Sequence, residues 1–344
     1  MIFRMISTFY LVLRRAVLSL PILLGVLLFT FMLVRVGNND PVGMLAGPTA
    51  GTNEINAIRA AYKLDQPVLV QFAEYVRLVF QGNLGTSWLS GKPVLDELLM
   101  RLPATLELVM LGSLVGGLLG VWAGMQSALN ANRRFDHWSR FLSLLGFGMP
   151  TIFLGLALIF VFFFLLQWAP PPMGRIDLMI NSPKLVTGSY VIDALIAGDK
   201  AAALSAAGRL VLPCLVVAIV FAAPLIKQTR AIALDVMASD YVRYARAAGL
   251  PKPMVRRMIW RNASVPVLTY GATELTALFG AASVLELIFS WGGVSQFGLT
   301  AILKGDFAVV QGYVVLMSVI AIVIFAITDL LILKLEPRAA AGAR

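Results

Sequence analysis

The chain has 344 residues, 59% of them hydrophobic and 13% charged, with 28 Lys and Arg against 18 Asp and Glu for a net charge of +10. Soluble domains carry about 25% charged residues, so a solvated globular fold is excluded, and a mean hydropathy of +0.84 points to a polytopic membrane protein. The single cysteine, Cys214, excludes an internal disulfide, and the single histidine, His137, argues against a histidine zinc site or a catalytic triad.

The N-terminal stretch places Ile2, Ile6, Phe9 and Leu13 on one helical face, with Arg4 and Ser7 off it, which predicts an amphipathic interfacial helix over residues 1–15. Ala16–Val34 follows as the first predicted span, rising about 28 Å as a helix, close to the hydrocarbon thickness. Its apolar core is too long for a cleaved signal peptide and no clear small-residue cleavage site follows, so it reads as permanent. Residues 35–101 form an outer segment. There Asn53 caps a short helix carrying Ile55, Ile58 and Tyr62, and Pro67 opens a second with Val68, Phe72, Val76 and Val79 at helical spacing.

Five more spans are predicted: Leu106–Met125, Phe141–Trp168, Leu210–Ile226, Leu268–Phe289 and Tyr313–Leu335. The span over 141–168 contains Pro150 and is expected to kink or lie partly in the interface. The span over 210–226 holds Pro213 and Pro224 and reads as the shortest and weakest. A second outer segment, Ala169–Gly208, opens with Pro170-Pro171-Pro172 and is otherwise weakly patterned.

Gly112, Gly116, Gly120 and Gly124 recur every fourth residue, a spacing that predicts close helix packing rather than a pore lining. Glu107, Glu274, Glu286 and Asp329 lie in or near spans, where carboxylates are costly and face protein or water. Glu286, and more weakly Glu274, are candidates for a polar pathway that meets a cationic group of a cargo; a hydrogen-bonded packing role is the alternative. His137 reads as an interfacial loop residue and Cys214 as span filler.

Most of the basic residues fall in the N-terminal tail, around Arg133–Arg140, in the stretch from Lys227 to Arg261, and in the tail 336–344 with Lys334 just before it. That distribution predicts both termini in the cytoplasm. The longest basic stretch, Ser239–Pro266, reads as two short helices in water beside the membrane. Ser239 is the expected N-cap, with Asp240 favourably placed on the helix dipole, and Gly249 is the C-terminal stop. Pro253 opens a second helix with Met254, Val255, Met258 and Ile259 on one apolar side and Arg256, Arg257 and Arg261 facing elsewhere. Ordered caps around an internal glycine suit docking of a soluble partner; a basic loop held by anionic lipid is the competing reading. The nearest approach to an ATP-binding P-loop, Gly85 to Gly91-Lys92, has one residue too many and is followed by Pro93, so it is rejected.

The stretch RYARAAGLPKPMVRRMIWRNASVPVL is similar to the signature loop of ABC importer permeases. NDPV near Asp40, YKLDQP at Tyr62–Pro67, GNLGTS at Gly82–Ser87, LPATLEL at Leu102–Leu108, FSWGG at Phe289–Gly293 and GDFAVVQG at Gly305–Gly312 extend the likeness in order along nearly the whole chain. The chain thus resembles permease subunits of dipeptide and oligopeptide ABC importers. Arg243-Tyr244-Ala245 stands where the general signature has Glu-Ala-Ala, so no role of that glutamate transfers; Gly292 stands where proline is common. The resemblance implies an all-α, six-span type I importer transmembrane domain with its permease core over 102–335. It implies an ATPase-docking loop comprising Asp240, Tyr241, Arg243, Tyr244, Ala245, Arg246, Ala248, Gly249, Arg256 and Arg257. It also implies a second permease subunit, two cytoplasmic ATPase subunits that bind ATP and Mg, an extracytoplasmic binding protein, and residence in the bacterial inner membrane. No catalytic residue, metal or cofactor is expected on this chain. The expected cargo is a short peptide; nickel complexes, opines, glutathione or another small solute are the alternatives. A stand-alone secondary transporter would show inverted repeats and intramembrane ion carboxylates, and no repeat is evident; an intramembrane enzyme would need a catalytic constellation that the composition lacks.

Overall fold

A computed structural model describes residues 18–32, 51–53, 56 and 66–335. The predicted interfacial helix over residues 1–15, most of the short helix expected after Asn53, and the tail 336–344 lie outside the described residues. Within them the chain is helical, with only an isolated bridge between Thr86 and Pro93 in extended pairing. The elements are α1 (Leu18–Met32), α2 (Val68–Phe80), α3 (Val94–Leu129), α4 (Arg134–Gly148), α5 (Thr151–Ile159, continued by a π-helical stretch Phe160–Leu165), α6 (Tyr190–Ile196), α7 (Lys200–Ala238), α8 (Asp240–Ala247), α9 (Lys252–Ile288), α10 (Val294–Lys304) and α11 (Phe307–Leu335).

Among the described residues four helices, α3, α7, α9 and α11, are long and apolar enough to cross a membrane, and α4 with α5 passes the same test only as a bent pair, a broken span or a re-entrant loop. The described part of the first predicted span, α1, is shorter than a membrane crossing, and its flanks lie outside the described residues. At Met149-Pro150 the chain bends by 104°, more than the kink expected over 141–168. Pro150 excludes α-helical backbone from the residue before it, and Met149 is extended at φ −83°, ψ 128°.

The span over 210–226, expected to be the weakest, is the middle of a 39-residue helix. Pro213 and Pro224 each remove one backbone bond without ending it, and beside Pro224 the Ser143 hydroxyl of α4 donates to Ala223 O at 2.6 Å. Likewise α9 runs unbroken through Pro266 for 37 residues, so the second short helix expected after Ser239 is the first turns of a span.

The chain divides into two compact units. One comprises Met1–Pro103 and Gly293–Val323; its core gathers Val94 and Leu98 of α3, Val294 and Ala301 of α10 and Val309 and Val310 of α11. In it Phe31 of α1 packs edge-on against Phe72 of α2 at 5.2 Å, and the buried Asp306 carboxylate accepts the Ser87 hydroxyl at 2.6 Å. The other unit comprises Ala104–Gly292 and Ile324–Arg344 and carries the elbow after Ser239.

Candidate functional site

The basic stretch folds as an elbow. Helix α8 presents Val242 and Ala245 inward, where they join Val255, Ile259 and Ala263 of α9, Ala233 of α7, and Met125 and Ala128 of α3 in one buried cluster. Apolar residues three and four apart on α8 and α9 make a single inward stripe, which anchors the elbow to the ends of three long helices. Gly249 turns the chain at φ +74°, a left-handed conformation that glycine adopts without a Cβ penalty, and Leu250 N closes the turn on Ala245 O at 3.1 Å.

Asp240, Tyr241, Arg243, Tyr244, Arg246, Ala248, Gly249, Arg256 and Arg257 are exposed. Ala245 is 2% exposed, so the one small residue of the predicted docking set that faces inward packs the elbow and offers no surface. Ser239 occupies the N-cap position, but its hydroxyl donates backward to Val236 O at 2.6 Å and caps nothing in α8. Met254, expected on the apolar side, is 51% exposed. It precedes Val255 by one residue, a 100° step that takes it off the buried stripe.

Behind the elbow, a buried carboxylate ties α4 to α7. Asp136 accepts Arg230 Nε at 2.6 Å, Arg230 Nη2 at 2.8 Å and the Asn132 amide at 2.8 Å, and the Ser127 hydroxyl donates to the same group. Asn132 holds a left-handed φ of +63°. Asp136 and Arg230 are 94 residues apart, a separation that leaves no local pattern in the sequence.

The four glycines of α3 lie against α7. A Cβ at Gly116 would sit 2.5 Å from Ala218 O, one at Gly124 2.7 Å from Ile226 O, one at Gly112 2.4 Å from the Val217 side chain and one at Gly120 2.9 Å from Leu225 Cβ. Only glycine permits this approach of the two backbones.

Glu286 of α9 is fully buried and accepts the Thr105 hydroxyl of α3. The indole of Trp291, from FSWGG, donates to Ala104 O in LPATLEL at 2.9 Å. The placement of Glu286 is that of a hydrogen-bonded packing residue in a joint between two motifs; it opens on no solvent. Glu274 is half-buried on α9, one turn from Tyr270.

Glu107 anchors the segment between α5 and α7, which sequence reading found weakly patterned. Arg175 Nη2 donates to Glu107 at 2.7 Å and to Gly188 O at 2.8 Å, the Ser189 hydroxyl donates to Glu107 at 2.5 Å, and the Arg175 guanidinium lies over the Tyr190 ring at 4.0 Å. Arg209 pairs with Asp177 at 2.9 Å. The Met179 amide, then Arg209, hold the Asp177 carboxyl below its usual value. Burial pushes Asp193 up, but the Thr187 amide and hydroxyl and the amides of Val186 and Gly188 outweigh it and leave that carboxyl lowered too. Among the described residues no three His, Cys, Asp or Glu side chains converge on a position that would hold a metal ion.

Residues 116–341 match the family of binding-protein-dependent transport system inner membrane components, and residues 8–109 match the N-terminal family of such membrane components. The chain is 36% identical to the probable D,D-dipeptide transport system permease protein DdpB of Escherichia coli K12, over 97% of this chain and 99% of that protein. It is 37% identical to the di/tripeptide transport system permease protein DppB of Pseudomonas aeruginosa, over 94% and 97%. With the oligopeptide transport system permease protein AppB of Bacillus subtilis it shares 29% identity over 95% and 98%.

Proposed function

The chain belongs to the binding-protein-dependent transport system inner membrane components, and from that membership we propose that it forms one half of an ATP-driven pathway for di- and oligopeptides. A second, homologous permease supplies the other half. Two cytoplasmic ATPase subunits bind ATP and Mg and dock on the elbow, and an extracytoplasmic binding protein delivers the cargo. Both chain termini lie in the cytoplasm with the elbow, as the concentration of Lys and Arg there favours.

The observation that carries this reading is the construction of the elbow. Its outer face is exposed and cationic, while its inner face is sunk into a cluster shared by α3, α7 and α9. A push on α8 is therefore delivered to three long helices at once. Coupling needs two states of the pathway that the ATPases bind unequally, and an elbow sunk into three helices passes that preference on to them. The glycine seam lets α3 and α7 move as one body, because their backbones are in contact. The peptide cargo rests on the relatives, two of which are named for di- or tripeptides and a third for oligopeptides.

Reconstitution tests it. Proteoliposomes containing this chain, its companion permease, the ATPases and the binding protein should accumulate labelled dipeptide only with ATP. Uptake by this chain alone, driven by an ion gradient, would instead establish a secondary transporter. ATP-dependent uptake of a nickel complex, an opine or glutathione in place of peptide would keep the architecture and replace the cargo.

A further inference from the structure

A groove of about 790 Å³ runs between α3, α7, α9 and the end of α11, within the unit that carries the elbow. It lies at the elbow end of these helices and is open along its length, since Leu118 is 66% and Trp122 52% exposed. Hydroxyls are the only side-chain polar groups on its wall apart from the indoles of Trp122 and Trp260, and no charged residue lines it. One of them, Thr229, is fully buried, and its oxygen has no hydrogen-bond partner among the described residues.

Two cations extend the wall toward its mouth. Arg261 precedes the lining residues Ser264 and Leu268 by three and seven positions, and Lys334 follows Leu331 and Ile327 by three and seven, so each continues a lining stripe. Both are exposed and neither makes an ion pair among the described residues. A zwitterionic peptide does not suit this groove, because both of its charged ends would be stripped of water against an uncharged wall. An amphiphile suits it: an acyl chain on the apolar wall and an anionic headgroup at the mouth.

We propose that this groove is a binding site for an anionic phospholipid, with an acyl chain between α3 and α9 and the phosphate at Arg261 and Lys334. The lipid completes the wall behind the elbow, so the site ties the composition of the leaflet to the coupling region. The site does not depend on which cargo is carried.

The assembled transporter is purified from nanodiscs of equal phosphatidylglycerol and phosphatidylcholine, and retained lipid is measured by mass spectrometry. The wild-type complex should retain phosphatidylglycerol preferentially. Arg261→Gln and Lys334→Gln should each lower that preference about five-fold, and Ser264→Phe, which fills the groove, should lower retention of both lipids. A benzophenone side chain at Leu118 should capture lipid. Equal retention of the two lipids by wild type, or a preference unchanged in both charge variants, would overturn the proposal. Capture of the companion permease or of peptide cargo by the Leu118 probe would overturn it as well, by assigning the groove to protein packing or to the pathway. ATP-driven peptide uptake in the same preparations reads the transport function separately.

Discussion

Arg230 grips both carboxylate oxygens of Asp136, Nε at 2.6 Å and Nη2 at 2.8 Å, and so fastens the start of α4 to the C-terminal part of α7. Asp136 is fully buried and Arg230 is 20% exposed. The pair sits beside the elbow's own cluster, since Ala233 follows Arg230 by one turn and Ser127 precedes Ala128.

Removing one partner leaves the other buried and uncompensated. Asp136→Asn and Arg230→Gln should each destabilise the chain by about 3 kcal/mol, read as a lower midpoint in denaturing-detergent titration. The double variant should lose less than the two single losses added together. Additive losses would show that the two groups act independently. Arg230→Lys should recover only part, because an ammonium lacks the two-pronged geometry.

The glycine seam makes a graded prediction. Gly116→Ala places a Cβ 2.5 Å from a backbone oxygen that has no rotamer with which to move away. It should cost about 1–3 kcal/mol, and Gly116→Leu and Gly120→Leu should block assembly with the companion subunit. Gly280→Ala on α9 is the control, since nothing lies within 4 Å of its Cβ position. Normal assembly and uptake by both leucine variants would mean that α3 and α7 separate during transport.

At the elbow, Gly249→Asp forces a side chain into a left-handed backbone, at about 1–2 kcal/mol, and adds a negative charge to a cationic surface. Paired Arg243→Glu and Arg246→Glu reverse the exposed charge without touching the buried stripe. Both changes should reduce co-purification of the ATPase subunits about ten-fold, and Met254→Ala, exposed but uncharged, should not. Unchanged co-purification in both charge-altering variants would remove the docking role from this loop.

The segment between α5 and α7 should be acid-sensitive. Asp177 and Asp193 both have carboxyls lowered from 3.8, so their ionised forms favour the folded segment. That contribution is complete above the ordinary carboxylate range and is withdrawn as pH falls through the lowered values. Cleavage within residues 177–193 by an acid-active protease acting at each pH should stay flat from pH 7 to about 5 and rise below about 4, relative to an unstructured reference peptide. Asp193→Asn should raise cleavage at neutral pH. Equal cleavage of wild type and Asp193→Asn would show that the four bonds to this carboxylate do not hold the loop.

The amino-acid sequence by itself determined the membrane class, the position of the elbow, its glycine turn and the glycine seam. Each of these is written in local composition or in a short period: apolar runs of span length, a basic stretch between two of them, one glycine before a proline, four glycines in step. Helix ends were harder, because α7 and α9 continue past their apolar stretches as polar helix and through internal prolines, so hydropathy marked only their middles. The joints were beyond local reading. Ser87 with Asp306, Trp291 with Ala104, Thr105 with Glu286 and Arg230 with Asp136 are 94 to 219 residues apart. Which buried polar group meets which is settled only when the helices pack, because a desolvated donor or carboxylate must find whatever partner the tertiary structure brings within reach.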